Sequence, residues 1–582
     1  MPNDERSSRP TLACTAVVFA ALLGCPEQST PQGRGAAPAA AASQQRDSVI
    51  PPQAPDTMPR DSVADLPRAT VEVKYVPPTG QTIRVGERGN LQSALDRAKP
   101  GDVVALAPGA KYIGNFILPT KRCGTGWITV RTDVSDSLLP PPGSRITPAF
   151  APRLAKILTR NDRGALATQN PTCGWWITGV EVGASPELQP TTVNYGLFLL
   201  GDGGWKDGGD IQTSLSRVPT RIVVDRVYIH GEPHTNSTRC LTLNSAQTAV
   251  MNSWLSECHA KGFDSQAIEG WNGPGPFLIE NNHLAGAGEN VMFGGGDPGI
   301  ANLIPTDITI RRNHVYKDPA WKGKWTIKNL FELKSARRVL VEGNVFENSW
   351  IDAQMGMAIV IKSALGSPNG GRWQGTTDVT FRDNIVRNAQ RGFNVQAADG
   401  PTDNPVMRVR AENNLFVNIG SANGTGVDGW QLILLNEYRD VTIRHNTFVS
   451  NVTNYGISLV MEGGNGRVRN LRITDNIFTA PAGYAVFASG MKAGTESLKA
   501  MAGDSWTFER NVVAGVEPAN ASSHPVKNWY PPKIASIGFL DPVGADYRLS
   551  MKSDFKQHGL AGTDPGVNMS RLTKATEGVV VR

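Results

Sequence analysis

Val339-Leu-Val341-Glu-Gly-Asn344, Val379-Thr-Phe381-Arg-Asp-Asn384, Val409-Arg-Ala411-Glu-Asn-Asn414 and Val441-Thr-Ile443-Arg-His-Asn446 are copies of one phrase: two apolar residues spaced by one residue, then Asn. Phe277-Leu-Ile279-Glu-Asn-Asn282, Ile308-Thr-Ile310-Arg-Arg-Asn313 and Leu471-Arg-Ile473-Thr-Asp-Asn476 repeat it, and weaker copies end at Asn252 and Asn511. From 252 to 511 the Asn positions are separated by 30, 31, 31, 40, 30, 32, 30 and 35 residues. Self-similarity at such a period marks a solenoid. Alternation turns the first and third residue of each phrase inward, and a coil that cannot bury its apolar face alone buries it on its neighbours. The prediction is an all-β chain, a single-stranded right-handed parallel β-helix. The Asn at each bend satisfies backbone groups and bonds its copy one coil away, a structural ladder with no catalytic part.

Working outward, Asn90 to Lys99 is amphipathic and breaks at Pro100-Gly101-Asp102 into Val103-Val-Ala-Leu106, as expected of a capping helix over the first coil. Asp546-Tyr-Arg-Leu549 and Gly562-Thr-Asp-Pro-Gly566 are read as the terminal cap. At the other extreme, Arg6 and Arg9 precede an apolar run from Thr11 to Gly24, too short to span a bilayer. Its end, Leu22-Leu23-Gly24-Cys25, resembles a bacterial lipobox. Residues 1–25 are therefore expected to be a lipoprotein signal with Cys25 acylated, and ordinary secretion is the alternative. Residues 26–70, rich in Pro, Ala, Gln and Ser, are expected to be a disordered linker ahead of a β-helix domain over 71–582. An exported chain, lipid-anchored at the cell envelope or secreted, follows.

The composition suits strands and turns: hydrophobic residues make up 40%, charged residues 19%, and there are 61 Gly. A net charge of +6 over 582 residues demands neither nucleic acid nor a membrane surface, and a monomer is expected. Cys123, Cys173, Cys240 and Cys258 are an even number in a compartment where disulfides persist. Pairing Cys123 with Cys173 and Cys240 with Cys258 would staple neighbouring coils, but sequence alone allows three connectivities. The absence of any C-x-x-C spacing argues against a metal site.

Four phrases carry a resemblance: the cap Ala98-Lys99-Pro100-Gly101-Asp102, Gly270-Trp-Asn-Gly-Pro-Gly-Pro-Phe277, Gly288-Glu-Asn-Val-Met-Phe-Gly-Gly295 and Asn329-Leu-Phe-Glu-Leu-Lys334. On these, the chain from about Gln81 to Val581 resembles the bacterial right-handed parallel β-helix repeat proteins of the pectate-lyase-like superfamily. The resemblance implies the fold and leaves the chemistry open.

Aligning the second strand of each coil by its inward apolar residues places Glu269, Gly295, Lys334, Lys362, Gln396, Asn436, Glu462 and Ser489 in one outward column. Lysines on adjacent coils lie ~5 Å apart in backbone spacing. Their repulsion lowers at least one ammonium pKa unless carboxylates intervene. Such a ridge suits β-elimination, in which a base removes the proton α to a uronate carboxylate while positive charge holds the enolate. Lys334 is the expected base. Lys362 or Arg337 would neutralise the carboxylate or protonate the leaving oxygen, and Glu289, Asp297 and Glu332 could carry Ca²⁺ for the same neutralisation. Lyases of the alginate and chondroitin type use a Lys and Arg pair on this fold with Ca²⁺, and Lys334-Ser335 is similar to their motif; their other motif residues have no match here. Glu269, Trp271, Gln396 and Asn436 are the expected substrate contacts.

Blander readings stand beside these. The charged column could be a solvated salt-bridge ladder, and a non-catalytic glycan-binding or adhesion protein would grip an anionic polysaccharide with the same groove. A glycoside hydrolase is a further alternative, weakened because no Asp-Asp pair occurs in any repeat. Trp271, Trp321, Trp325, Trp350 and Trp373 could line a glycan groove or roof the core. The long interval between Asn344 and Asn384 carries Gly366-Ser-Pro-Asn-Gly-Gly371, a loop that could wall that groove. His283 and His314, each following a ladder Asn, read as core or turn histidines rather than a catalytic pair.

Overall fold

A computed structural model describes residues 63–203, 211–365, 367, 370–396, 403–420, 429–450, 452, 459–462, 468–480, 485–488 and 491–580. Cys25, the export signal, residues 26–62, Gly366, Pro368, Asn369 and Ser489 lie outside them.

Three parallel sheets run the length of a right-handed β-helix. Among the described residues, sheet A has fourteen strands from Thr82–Val85 to Trp506–Glu509, sheet B thirteen from Lys111–Ile113 to Val512–Ala514, and sheet C twelve from Phe116–Leu118 to Val486–Ala488. One coil visits them in order, for example Thr306–Arg311 in A, His314–Tyr316 in B and Phe331–Leu333 in C. Ile308 lies on Val339 and Ile310 on Val341 in register, and all four are fully buried in the one long core with Val315, Phe331 and Leu333. The sequence phrase thus marks the sheet A strand. The helix Leu91–Arg97, capped by the Asn90 side chain on the Ser93 N–H, buries Leu91, Ala94 and Leu95 against the first coils.

The ladder forms as the repeat predicts. Asn344 Oδ1 accepts from the backbone N–H (2.9 Å) and Nδ2 (3.0 Å) of Asn313, and Asn384 Oδ1 does the same for Asn344. Each Nδ2 also reaches a carbonyl about one coil's worth of sequence earlier, as Asn344 does to Ile310. The residue before each rung is left-handed: Asn281, Arg312, Gly343, Asp383, Asn413, His445, Asp475 and Arg510 have φ between 51° and 64°. Asn252, expected as a rung, is instead one of these turn residues (φ 52°), and Ser253 holds the rung, its N–H bonded to Asn282 Oδ1. The ladder also runs one rung further than expected, from Asn511 to Asn528.

The first and last described segments both return along the outside. Residues 63–76 cross sheet A: the Asp65 N–H reaches Asp378, that of Arg68 reaches Asp307, Glu72 faces Arg221 at 3.8 Å, and Trp127 Nε1 donates to the Lys74 carbonyl. From Thr376–Arg382 to Ile128–Thr132 sheet A advances seven strands, ~34 Å at ~4.8 Å each. Nine residues separate Asp65 from Lys74, and nine span ~30 Å when fully extended. The segment is drawn taut, with side-chain reach supplying the rest. It begins before residue 71, where the sequence placed the domain boundary, because Asp65 and Arg68 already have partners on the sheet.

The other end, after the antiparallel pair Phe539–Asp541 and Asp546–Leu549, runs back along the left-handed turns rather than stopping as an end cap. Gly566 bonds the Asp475 carbonyl, Asn568 the Asn413 side chain, and Arg571 Asp383; Arg312 donates to the Ala575 and Glu577 carbonyls, and Arg145 to that of Val579. Disulfides join Cys123 to Cys173 and Cys240 to Cys258, the pairing that staples neighbouring coils.

Candidate functional site

With the N-terminal segment on sheet A and the C-terminal one on the turns between A and B, sheet C is left to its loops. Its strands Gln266–Gly270, Val291–Phe293, Phe331–Leu333, Met357–Lys362 and Arg391–Gln396 stack in register. Ile268, Val291, Phe331, Ile359 and Phe393 fill the core. Glu269, Met292, Glu332, Val360 and Asn394 therefore form one row on the outer side. A second outer row stands at the corner where each coil turns into sheet A: Leu333 lies on Ile361, setting Lys334 beside Lys362, and Lys362 pairs with Gln396.

The predicted column is thus right at its centre and displaced at its ends. Glu269 pairs with Met292 and belongs to the Glu332 row. Leu435, not Asn436, continues Gln396; Asn436 is the left-handed corner residue next to it (φ 60°). Arg337 has already turned the corner: it lies in sheet A between Thr306 and Thr377.

Carboxylates do intervene between the lysines. Glu332 is fully buried, with Oε1 3.2 Å from Lys362 Nζ and Oε2 accepting from Asn329 Nδ2 at 2.8 Å. Glu289, also fully buried, accepts from Gln266 Nε2 at 2.8 Å and lies 3.6 Å from Lys328 Nζ, which is 2.5 Å from Asp264. Burial pushes Glu289 up, but the Lys328 and Lys334 ammoniums outweigh it and bring its pKa down to about 2. The converse holds for Lys328: burial lowers its pKa, and Glu289 and Asp264 raise it further. Glu269 is paired with Arg239, yet burial keeps its pKa raised.

Sequence reasoning missed Lys317. It is fully buried, and its Nζ contacts the carbonyls of Gly286 (2.8 Å), Ala287 (2.9 Å) and Gly288 (2.5 Å) and Asn290 Oδ1 (2.7 Å). Burial lowers its pKa, opposed by Glu289. Four oxygens around one nitrogen favour the ammonium, which has three protons to give. Lys317 thereby holds the loop that presents Glu289.

The expected Ca²⁺ set does not come together. Ca²⁺ takes six to eight oxygens, and among the described residues no three His, Cys, Asp or Glu side chains converge on one point. Glu289 faces Lys328 and Glu332 faces Lys362, while Asp297 accepts from Gln374 Nε2 at 3.0 Å beside Gly370 of the inserted loop.

Trp271, Trp321 and Trp350 are buried, roofing loops rather than lining a groove; Trp271 donates to the Gly203 carbonyl, and Trp321 and Trp350 pack on Ala285, Ala287 and Ile327. Trp325, stacked on His259 at 3.9 Å, and Trp373 are half-buried. His283 and His314 sit on the outer side of sheet B, with Nδ1 atoms 3.2 Å apart and His283 stacked on Trp254. They stand on a different sheet from the lysines.

No protein-family model and no curated protein matches the chain. Solved structures similar to it include an alginate lyase from Paenibacillus sp. str. FPU-7 (15% identity, TM-score 0.34, 57% of this chain and 99% of that one). The PL6 family alginate lyase AlyGC is 12% identical at a TM-score of 0.40, over 84% of this chain and 59% of that one. Pectate lyase Pel9A is 12% identical at 0.26, over 84% and 96%.

Proposed function

We propose that the corner of sheet C around Lys334 and Lys362 binds a uronate-containing polysaccharide and cleaves it by β-elimination. The observation that carries this is the placement of two lysines on adjacent coils, each directly following a member of the register pair Leu333–Ile361, backed by buried carboxylates, on a sheet that neither residues 63–76 nor the described C-terminal segment overlies. In this reading Lys334 takes the proton α to the uronate carboxylate. The electron pair forms the new C=C bond, the bond to the leaving glycosidic oxygen breaks as that oxygen takes up a proton from water, and Lys362 supplies the positive charge facing the carboxylate. Gln396, next in the row, contacts sugar hydroxyls. The protein acts outside the cytoplasm, tethered by an acylated Cys25.

A second reading, a glycan-binding protein without chemistry, is favoured by one observation: the Lys362 ammonium is already engaged by Glu332. Incubation of the purified chain with alginate, pectate and glycosaminoglycans separates the two. A lyase releases unsaturated uronate, read by its ultraviolet absorbance, and Lys334→Ala abolishes it. Retention of these polymers with no unsaturated product from any of them refutes the elimination reading and leaves the binder.

A further inference from the structure

Lysine nitrogens meet buried oxygens at three places, one on sheet C and two in the loops that lead into it from sheet B. Lys328 Nζ stands between Asp264 Oδ1 (2.5 Å) and Glu289 Oε1 (3.6 Å), and Lys362 Nζ faces Glu332 Oε1 (3.2 Å). Lys317 Nζ is enclosed by three backbone carbonyls and the Asn290 amide oxygen at 2.5–2.9 Å. Carboxylates and carbonyls gathered out of water are the donor set of a hard cation such as Ca²⁺, and a buried anion persists only with a positive partner. Here that partner is covalently part of the chain at every cluster. An ammonium and a divalent ion cannot share the space between Asp264 and Glu289: the lysine would have to withdraw, leaving its own charge to be hydrated elsewhere.

We infer that the lysine ammoniums of Lys317, Lys328 and Lys362 are the resident cations of this face, and that the site takes up no divalent metal. The inference concerns what balances the buried oxygens and holds for a lyase or a binder alike. Its readouts are metal content and stability, so its failure is distinguishable from failure of the elimination reading.

The test uses the full chain purified without chelator. Elemental analysis is expected to find no stoichiometric Ca²⁺, and EDTA to leave the thermal midpoint where it was. In Lys328→Ala the emptied space between Asp264, Glu289 and Gln266 becomes available, and millimolar Ca²⁺ is expected to raise that variant's midpoint by ~2 °C or more. Equal Na⁺ ionic strength is expected not to do so, and the wild type not to respond. Bound Ca²⁺ in the wild type, or a midpoint that falls on chelation, overturns the inference. A Lys328→Ala chain that folds but ignores Ca²⁺ overturns the claim that the lysine fills a cation position. Should Lys328→Ala not fold, Lys328→Arg, which keeps the charge, is expected to fold and to be indifferent to Ca²⁺; a Ca²⁺ requirement in that variant also overturns it, as stoichiometric Ca²⁺ in the wild type does by itself.

Discussion

Removing the ammonium from Glu332 is the sharpest way to ask whether the sheet C charges are a buried network or a solvated ridge. In Lys362→Met the fully buried carboxylate loses a cation 3.2 Å away and keeps the Asn329 amide as its remaining partner. Stranding one member of a buried pair costs ~3–5 kcal/mol. The Lys362 side chain is 14% exposed, so water reaches that end of the pair and the lower figure applies, ~3 kcal/mol. Glu332→Gln keeps the acceptor for Asn329 and frees an ammonium that can turn to water, at ~1–2 kcal/mol. In the double variant neither charge is left without its partner, so the two losses should not add: a coupling of ~2 kcal/mol is expected. Urea unfolding of the four proteins, followed by tryptophan fluorescence, measures it. The first transition is the one to compare, because stacked coils need not unfold together. Additivity within ~0.5 kcal/mol would refute the buried-network description, and with it the electrostatics assigned to the site.

Other consequences are as direct. Asn384→Ala removes the acceptor for the buried Asn344 N–H and should cost ~2–4 kcal/mol; Asn528→Ala, on the part-buried last rung, should cost distinctly less, and equal losses in denaturation would deny a cooperative ladder. Glu347 is held at about 2 because the His314 and Arg387 hydrogen bonds and charges outweigh its burial. A carboxylate depressed in the fold contributes stability above its ordinary range and loses it as pH falls from about 4.5 toward 2. Thermal midpoints of wild type and Glu347→Gln should therefore converge over that window, by ~1–2 kcal/mol after allowance for partial exposure, and parallel curves would contradict the pairing. His283, whose pKa is driven down by burial and then by His314 and Arg145, must take up a proton on unfolding, so stability should already decline below about pH 6.5; His283→Phe should flatten that part of the profile. Arg145 ties the Val579 carbonyl to Asn281 and Arg312, and Arg145→Ala should make the chain after Val567 the first site of limited proteolysis while the core melts near its usual temperature.

The repeat was fully legible where its chemistry is local. Two inward residues and an Asn are fixed by the pleat and the bend, so sheet A, the ladder and the centre of the lysine row follow from spacing. Glu269 went to the wrong row because a shift of two residues preserves alternation, and nothing in Gln266 to Gly270 distinguishes one outward position from the next. At Leu432-Ile-Leu-Leu435 alternation disappears, since Ile433 and Leu435 are buried on the outer side as well, and the pattern points to the neighbouring polar Asn436 instead. Asn252 and Asn528 show the same limit: the first has the right identity one residue out of register, and the second follows a loop with no strand phrase before it. Lys317 and the docked chain ends depend on loops and tails folding back from far along the sequence, which no local pattern encodes. Val71-Glu-Val73 does alternate, and Val71 is buried with Trp127 and Trp176, but Asp65 and Arg68 ahead of it stand in no such pattern.

The taut crossing of sheet A also bears on how such a chain can evolve. Solenoids grow by duplicating a unit, and each coil added between Ile128–Thr132 and Thr376–Arg382 would lengthen the path under residues 65–74 by ~4.8 Å, while an already extended strand has no slack to give. A lineage that gained a coil there would have to insert one or two residues into the crossing strand or let it detach. The N-terminal segment thus acts as a gauge of coil number, and homologues differing in repeat count should differ in its length in step.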